Sequence, residues 1–137
     1  MNPIVKNILA VILGWAGGSA VNMGLIQAGH KIFPIEGIDP NDMDALVEVM
    51  PTLEFEYFIF PLLAHALGAL VGAVIAGFVA ASHKMKFSLG IGGLFLLGGI
   101  TMHFVLPAPT WFVVSDTIAY IPMAWIGGKL ALKFSTN

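Results

Sequence analysis

Residues 57–82 read YFIFPLLAHALGALVGAVIAGFVAAS and contain no Asp, Glu, Lys or Arg. An α-helix rises 1.5 Å per residue, so about 20 apolar residues are enough to cross the roughly 30 Å hydrocarbon layer of a bilayer. A buried helix of a soluble protein is seldom this long without a charge. The stretch therefore predicts a membrane-spanning helix.

Three further apolar stretches of about this length follow the same reading, over residues 8–29, 87–106 and 111–132, the last with Asp116 and Lys129 inside it. Of the 137 residues, 58% are hydrophobic and only 10% are charged, whereas soluble domains have about 25% charged residues. The sequence therefore predicts an all-α integral membrane protein, a four-transmembrane-helix bundle that forms one domain over residues 1–137. The longest segment between spans is the outer loop, residues 30–56.

Missing residue types exclude several classes of function. The chain has no cysteine, which excludes thiol redox chemistry, thiolate metal sites and a cysteine nucleophile. All six basic residues are lysine, so bidentate recognition of phosphate by arginine is excluded as well. With a net charge of -2, no nucleic-acid partner is expected. No catalytic motif is recognisable, and whether the chain is an enzyme stays open.

The lysines predict the orientation in the membrane. Cytoplasmic loops of membrane proteins carry an excess of lysine and arginine. If the four spans alternate in direction, five of the six lysines fall on one side, and all eight acids lie on or towards the other. The protein is thus expected to be a multi-pass protein of the plasma (inner) membrane, with both termini in the cytoplasm. The five lysines are Lys6, Lys84, Lys86, Lys129 and Lys133.

The outer loop carries the signals of a short extracytoplasmic helix. Asp39 is expected to be its N-cap, Pro40 its first residue and Asp42 an acid of its first turn, with the helix ending before Pro51. This helix either is a solvated loop element or covers a ligand site. Four apolar residues at helical spacing are expected to face the bundle: Met43, Leu46, Val47 and Met50.

Small residues recur every four positions on the first two spans and predict that these helices cross closely. Further glycines on the third and fourth spans give more close-packing surface than one bundle uses. We therefore expect a homodimer or a larger oligomer. The small residues of the first two spans are Ala10, Gly14 and Gly18, and Ala64, Gly68, Gly72 and Ala76.

Polar residues are rare within the spans, and their high cost in a bilayer makes them candidates for function. On a helical projection each lies on a glycine-bearing face of its helix, so they are expected to converge in the interior or at a subunit contact. Tyr120 shares a helix face with Asp116, and His30 and Glu56 are expected near the outer mouth of the bundle. The four, all in the outer half of the bundle, are Asn22, His65, His103 and Asp116.

This cluster predicts a site for a small ligand or a proton, formed by the four residues together with Tyr120. Imidazole and carboxylate groups also bind divalent metals, which makes His65, His103 and Asp116 the predicted metal ligands and a divalent metal the one cofactor indicated. The alternative is that the histidines hydrogen-bond across helices and only stabilise their packing.

Two main classes of function follow from these features. In the first, the protein binds or transports a small ligand, metal ion or proton, using the polar cluster and two helices that Pro61 and Pro122 are expected to interrupt. In the second, it is a noncatalytic accessory or scaffold subunit that packs against another membrane protein. A membrane enzyme with His65 or His103 as acid-base is a third possibility.

Overall fold

The structure, a computed structural model, describes residues 1–135, so the last two residues of the predicted domain lie outside it. The described residues are all-helical and contain no β-strand. Three of the helices, α1, α3 and α4, are long and apolar enough to cross a membrane. The α-helices are α1 (Pro3–Ile32), α2 (Met43–Val49), α3 (Glu56–Val79), α4 (Lys84–Val105) and α5 (Thr110–Ser135), and a 3-10 turn (Met50–Thr52) follows α2.

The ends of the long helices differ from the predicted spans. Helix α1 begins earlier because the side chain of Asn2 caps it, accepting a hydrogen bond of 2.8 Å from the backbone N–H of Ile4. Helix α3 ends at Val79, three residues before the end of the predicted span. Just after the helix, the Asn7 side chain accepts a hydrogen bond from the N–H of Ala81 at 2.9 Å.

Helix α5 covers the predicted fourth span, but it is not among the three helices that qualify as membrane spans. Two charged residues, Asp116 and Lys129, lie within its apolar stretch. A fourth crossing therefore stays a prediction at this point.

The two internal prolines do not divide their helices. Helix α3 continues through Pro61, and α5 continues through Pro122, so the expectation of interrupted helices is wrong. Each proline removes one backbone N–H from a long helix. The neighbouring helices hold such a segment together, as is common in membrane proteins.

Helix α3 is the central helix and packs against α1, α4 and α5. Its contact with α1 confirms the predicted close crossing, because Gly14 faces Gly72 and Gly18 faces Gly68. A Cβ atom added at Gly72 would lie 2.7 Å from the carbonyl oxygen of Gly14. No side chain larger than hydrogen fits at such a backbone contact without displacing a helix.

On its other side, α3 packs in parallel with α5, and α4 runs antiparallel to both. Gly127 of α5 lies against the backbone of Leu70, and Gly92 of α4 lies against Ala124. The buried hydroxyl of Ser88 on α4 donates a 2.8 Å hydrogen bond to the carbonyl oxygen of Ala73. These contacts set the registers that bring polar residues of α3, α4 and α5 together.

The loop helix α2 is present, but its N-cap is Asp42 rather than the predicted Asp39. The Asp42 side chain accepts a hydrogen bond from the N–H of Ala45 at 3.1 Å, whereas Asp39 forms a turn by accepting one from the N–H of Asn41 at 2.9 Å. The predicted apolar face is also mostly exposed, since α2 buries only Leu46.

Candidate functional site

A buried carboxylate lies where α3, α4 and α5 meet. Asp116 of α5 is 0% exposed, and each of its oxygens contacts a histidine from another helix. Its Oδ1 is 2.6 Å from Nδ1 of His65 on α3, and its Oδ2 is 2.9 Å from Nε2 of His103 on α4. Burying a carboxylate is costly unless it is paired. The two imidazoles supply that pairing.

The two histidine contacts differ in kind. His65 forms a short hydrogen bond with Asp116, with 2.6 Å between Nδ1 and Oδ1. His103 is nearly as close, but its Nε2 atom is buried and lacks an aligned hydrogen-bond partner among the described residues. The Nε2 atom of His103 therefore makes no hydrogen bond in this arrangement, even though it lies beside an oxygen of Asp116.

Tyr120 lies one helical turn after Asp116 and is also buried. Its hydroxyl donates a long hydrogen bond of 3.4 Å to Asp116 Oδ2, and its ring stacks on His65 with centroids 5.8 Å apart and planes at 24°. Gly99 of α4 leaves room for the hydroxyl, because a Cβ atom at that position would overlap the Tyr120 side chain. Tyr120 therefore fixes both the carboxylate and one imidazole.

Aromatic rings cover the cluster on the side of the α5 N-terminus. Phe112 lies one turn before Asp116, and its ring centroid is 6.5 Å from that of His65 and 5.8 Å from that of His103. It packs in turn on Phe58 at 4.9 Å. Sequence reasoning missed both phenylalanines. The available signal was that Phe112 precedes Asp116 by four residues, which places both on one face of the helix.

Asn22 is the predicted site residue that the structure does not join to the cluster. No hydrogen bond or ion pair among residues 1–135 connects it to a histidine or to Asp116. It packs from α1 against Gly68, three residues after His65 on α3, and its Oδ1 atom is buried without a hydrogen-bond partner.

His30 and Glu56 also lie apart from the cluster. His30 lines a cleft of about 140 Å³ next to the outer loop, together with Leu46 of α2. Glu56 is the first residue of α3, nine residues before His65 and therefore about 14 Å away along the helix. Neither residue has a hydrogen bond or ion pair with the cluster in the described part of the chain.

The predicted metal site gains no support from this geometry. In the described part of the chain, no three or more His, Cys, Asp or Glu side chains are arranged to hold a metal ion. His65 and His103 approach different oxygens of one carboxylate, whereas metal ligands must surround a common point. A metal at His65, His103 and Asp116 therefore stays a prediction.

The arrangement is suited to accepting and passing a proton. A histidine can hold a proton on either ring nitrogen, and here one nitrogen of each ring faces the same carboxylate while the other lies on the far side of the ring. The side chains of His65 and His103 are 20% and 12% exposed, so both rings are within reach of the protein surface.

Comparison with protein-family models, curated proteins and solved structures gave no match for this chain.

Proposed function

We propose that the protein is a small integral membrane protein that binds and relays a proton inside the bilayer, as the proton-handling site of a transport process. The observation that supports this most is the fully buried carboxylate of Asp116, held between His65 and His103 from two other helices. Ionisable residues are rare within membrane helices and commonly mark proton pathways.

The proposal includes α5 as a fourth membrane span. Helix α5 packs along both α3 and α4, so if these two cross the bilayer, α5 lies in it beside them. Its outward face is apolar, with Ile118 64% and Trp125 51% exposed, which suits contact with lipid. The lysine distribution supports cytoplasmic termini and an outer position for α2.

The relay proceeds by bonds that form and break in pairs. It starts with a proton on Asp116 Oδ2. A rotation of the His103 ring first aligns its Nε2 atom with Oδ2. His65 then accepts a proton at Nε2 and releases its Nδ1 proton to Asp116 Oδ1, while the proton on Oδ2 passes to Nε2 of His103. Each transfer breaks one N–H or O–H bond and forms another, and the carboxyl group carries one proton before and after. Loss of the Nδ1 proton of His103 completes the passage.

A noncatalytic accessory role is the second candidate, and one observation favours it. A Cβ atom added at Gly90, Gly93 or Gly98 of α4 would meet nothing within 4 Å. Because these glycines have no side chains, another helix can approach α4 closely there in a membrane. Such a contact suits the homodimer expected from the sequence or a partner membrane protein. In that role the histidines would only stabilise the packing of α3, α4 and α5.

Proton flux into vesicles tests the first role against the second. The protein is reconstituted in liposomes that contain a pH-sensitive dye, and a pH gradient is imposed with the membrane potential clamped. We expect His103→Gln to lower the flux by about a hundredfold or more, the scale of positioned proton transfer. Glutamine keeps a side-chain amide that can donate a hydrogen bond to Asp116, so the variant should stay folded.

His30→Gln is the matched control, because it removes a histidine that lies outside the cluster. We expect it to leave the flux unchanged. If wild-type protein carries no more protons than empty liposomes, or if His103→Gln and His65→Gln both carry as many as wild type, the relay is wrong and the accessory role stands.

A further inference from the structure

A second site lies at the opposite end of the helices from α2. The turn between α3 and α4 and the end of α5 form an open cleft of about 440 Å³, here called the lysine cleft. It borders the ends of two membrane-spanning helices, which is the depth of lipid headgroups. Its lining residues are Ser82, His83, Lys84, Met85, Lys86 and Leu132.

The lysine cleft carries positive charge, and the acidic residues of the chain lie elsewhere. Seven of the eight acids lie in residues 36–56 and the eighth, Asp116, is buried with the histidines. No carboxylate in the described part of the chain pairs with Lys6, Lys84 or Lys86. A bound anion would supply the negative charge that these lysines lack.

The two lysines of the lysine cleft differ in their hydrogen-bond contacts. The ammonium of Lys84 donates hydrogen bonds to the carbonyl oxygens of Gly77, Phe78 and Ala80, at 3.1, 3.0 and 2.8 Å. These three bonds use all three of its donors and close the C-terminus of α3. Lys86 is exposed, and its ammonium group has no hydrogen bond or ion pair within the described residues. Lys86 is therefore the side chain able to contact an anion directly.

The N-terminus of α4 adds to the positive potential of the cleft. Its cap residue, His83, has a left-handed backbone conformation with φ of 48° and makes no side-chain capping bond. By contrast, Asn2 caps α1 and Asp42 caps α2 with side-chain oxygens. The amide groups of the first turn of α4 favour negative charge nearby.

We infer that the lysine cleft binds the headgroup of an anionic phospholipid. Lys86 contacts the phosphate, and Met85 and Leu132, which line the same cleft, contact the first part of an acyl chain. Basic pockets between membrane helices recognise such headgroups. The inference rests on the membrane placement proposed above and not on the proton relay, so loss of proton flux with lipid binding intact leaves it standing.

Native mass spectrometry tests the lipid site. The full chain is exchanged into micelles that contain equal amounts of phosphatidylglycerol and phosphatidylcholine, and the lipid that stays bound is identified. We expect wild type to retain phosphatidylglycerol preferentially. Lys86→Gln should lower that bound fraction about fivefold, the effect of one lysine near an anionic surface. Lys86→Arg should restore it.

Lys31→Gln is the matched control, since it removes the same charge from the last turn of α1, at the other end of the molecule. We expect it to leave the retained lipid unchanged. Equal retention of the two lipids by wild type would overturn the inference. So would an equal loss of phosphatidylglycerol in Lys31→Gln and Lys86→Gln, because the effect would then be one of net charge.

Discussion

The two sides of α3 show two different ways in which apolar helices associate. Towards α1, glycine faces glycine and backbone lies on backbone, as at Gly14 and Gly72. Towards α4 and α5, large rings surround a buried carboxylate, and the contacts of Asp116 connect three helices. The first interface depends on the absence of side chains and the second on a few specific ones. The proposed proton relay therefore belongs to the second interface, while the first is a contact between backbones.

The largest expected effect comes from removing the carboxylate. Asp116→Ala leaves His65 and Tyr120 without the hydrogen bonds that they make to Asp116, and each buried polar group left without a partner costs about 1 to 3 kcal/mol. We expect unfolding in denaturing detergent, followed by circular dichroism, to begin at much lower denaturant. Stability equal to wild type would mean that the cluster does not hold α3, α4 and α5 together.

A smaller loss is expected at the glycine interface. Gly72→Val adds three carbon atoms where Gly14, Ile91 and Phe95 already lie in contact, and overpacking of this kind costs about 1 to 3 kcal/mol. The same detergent titration measures it. Gly93→Val is the matched control, because no atom lies within 4 Å of its added Cβ. Equal losses in the two variants would contradict the close contact between α1 and α3.

The sequence was sufficient for the helices and for bringing three of the polar residues together, but not for the geometry of their cluster. Apolar stretches predicted all four long helices, and one polar residue per span predicted the cluster of His65, His103 and Asp116. Asn22 was expected there too, yet α1 packs mainly on α3, and Asn22 meets α3 at Gly68. The sequence pattern of one helix shows which of its faces carries small residues, but not which neighbouring helix packs on that face.

Other details depended on contacts that a local pattern does not contain. Phe112 and Phe58 were missed because phenylalanine is common on every face of an apolar helix, and only packing shows which rings meet the histidines. Asp39 and Asp42 carry the same capping group three residues apart. The choice of Asp42 as the cap followed from a turn that Asp39 closes with Asn41.

Displacing the ring of Tyr120 should affect both the proposed relay and the stability of the protein. Gly99→Ala places a methyl group where the hydroxyl of Tyr120 lies, so the stacking on His65 and the bond to Asp116 are lost together. We expect reduced proton flux with about 1 to 3 kcal/mol of destabilisation. Gly98→Ala, which has open space at its Cβ, should change neither. Unchanged flux in Gly99→Ala would show that Tyr120 does not position the relay.

The smallest effect is expected at Ser88, on the same side of α3 but away from the relay. Ser88→Ala removes the buried 2.8 Å hydrogen bond to the carbonyl oxygen of Ala73, and interhelical hydrogen bonds in membranes contribute about 0.6 kcal/mol on average. The flux per folded molecule should stay that of wild type. A loss as large as that of Asp116→Ala would make Ser88 part of the polar cluster.

The most direct test of the proton relay is the flux carried by Asp116→Asn. Asparagine has nearly the size of aspartate and can still hydrogen-bond His65, but it cannot exchange a proton between two imidazoles. In liposomes with a clamped potential, the relay predicts that this variant folds, inserts and carries no more protons than empty liposomes. Flux equal to that of wild type would contradict the relay and leave the cluster with a role in packing alone.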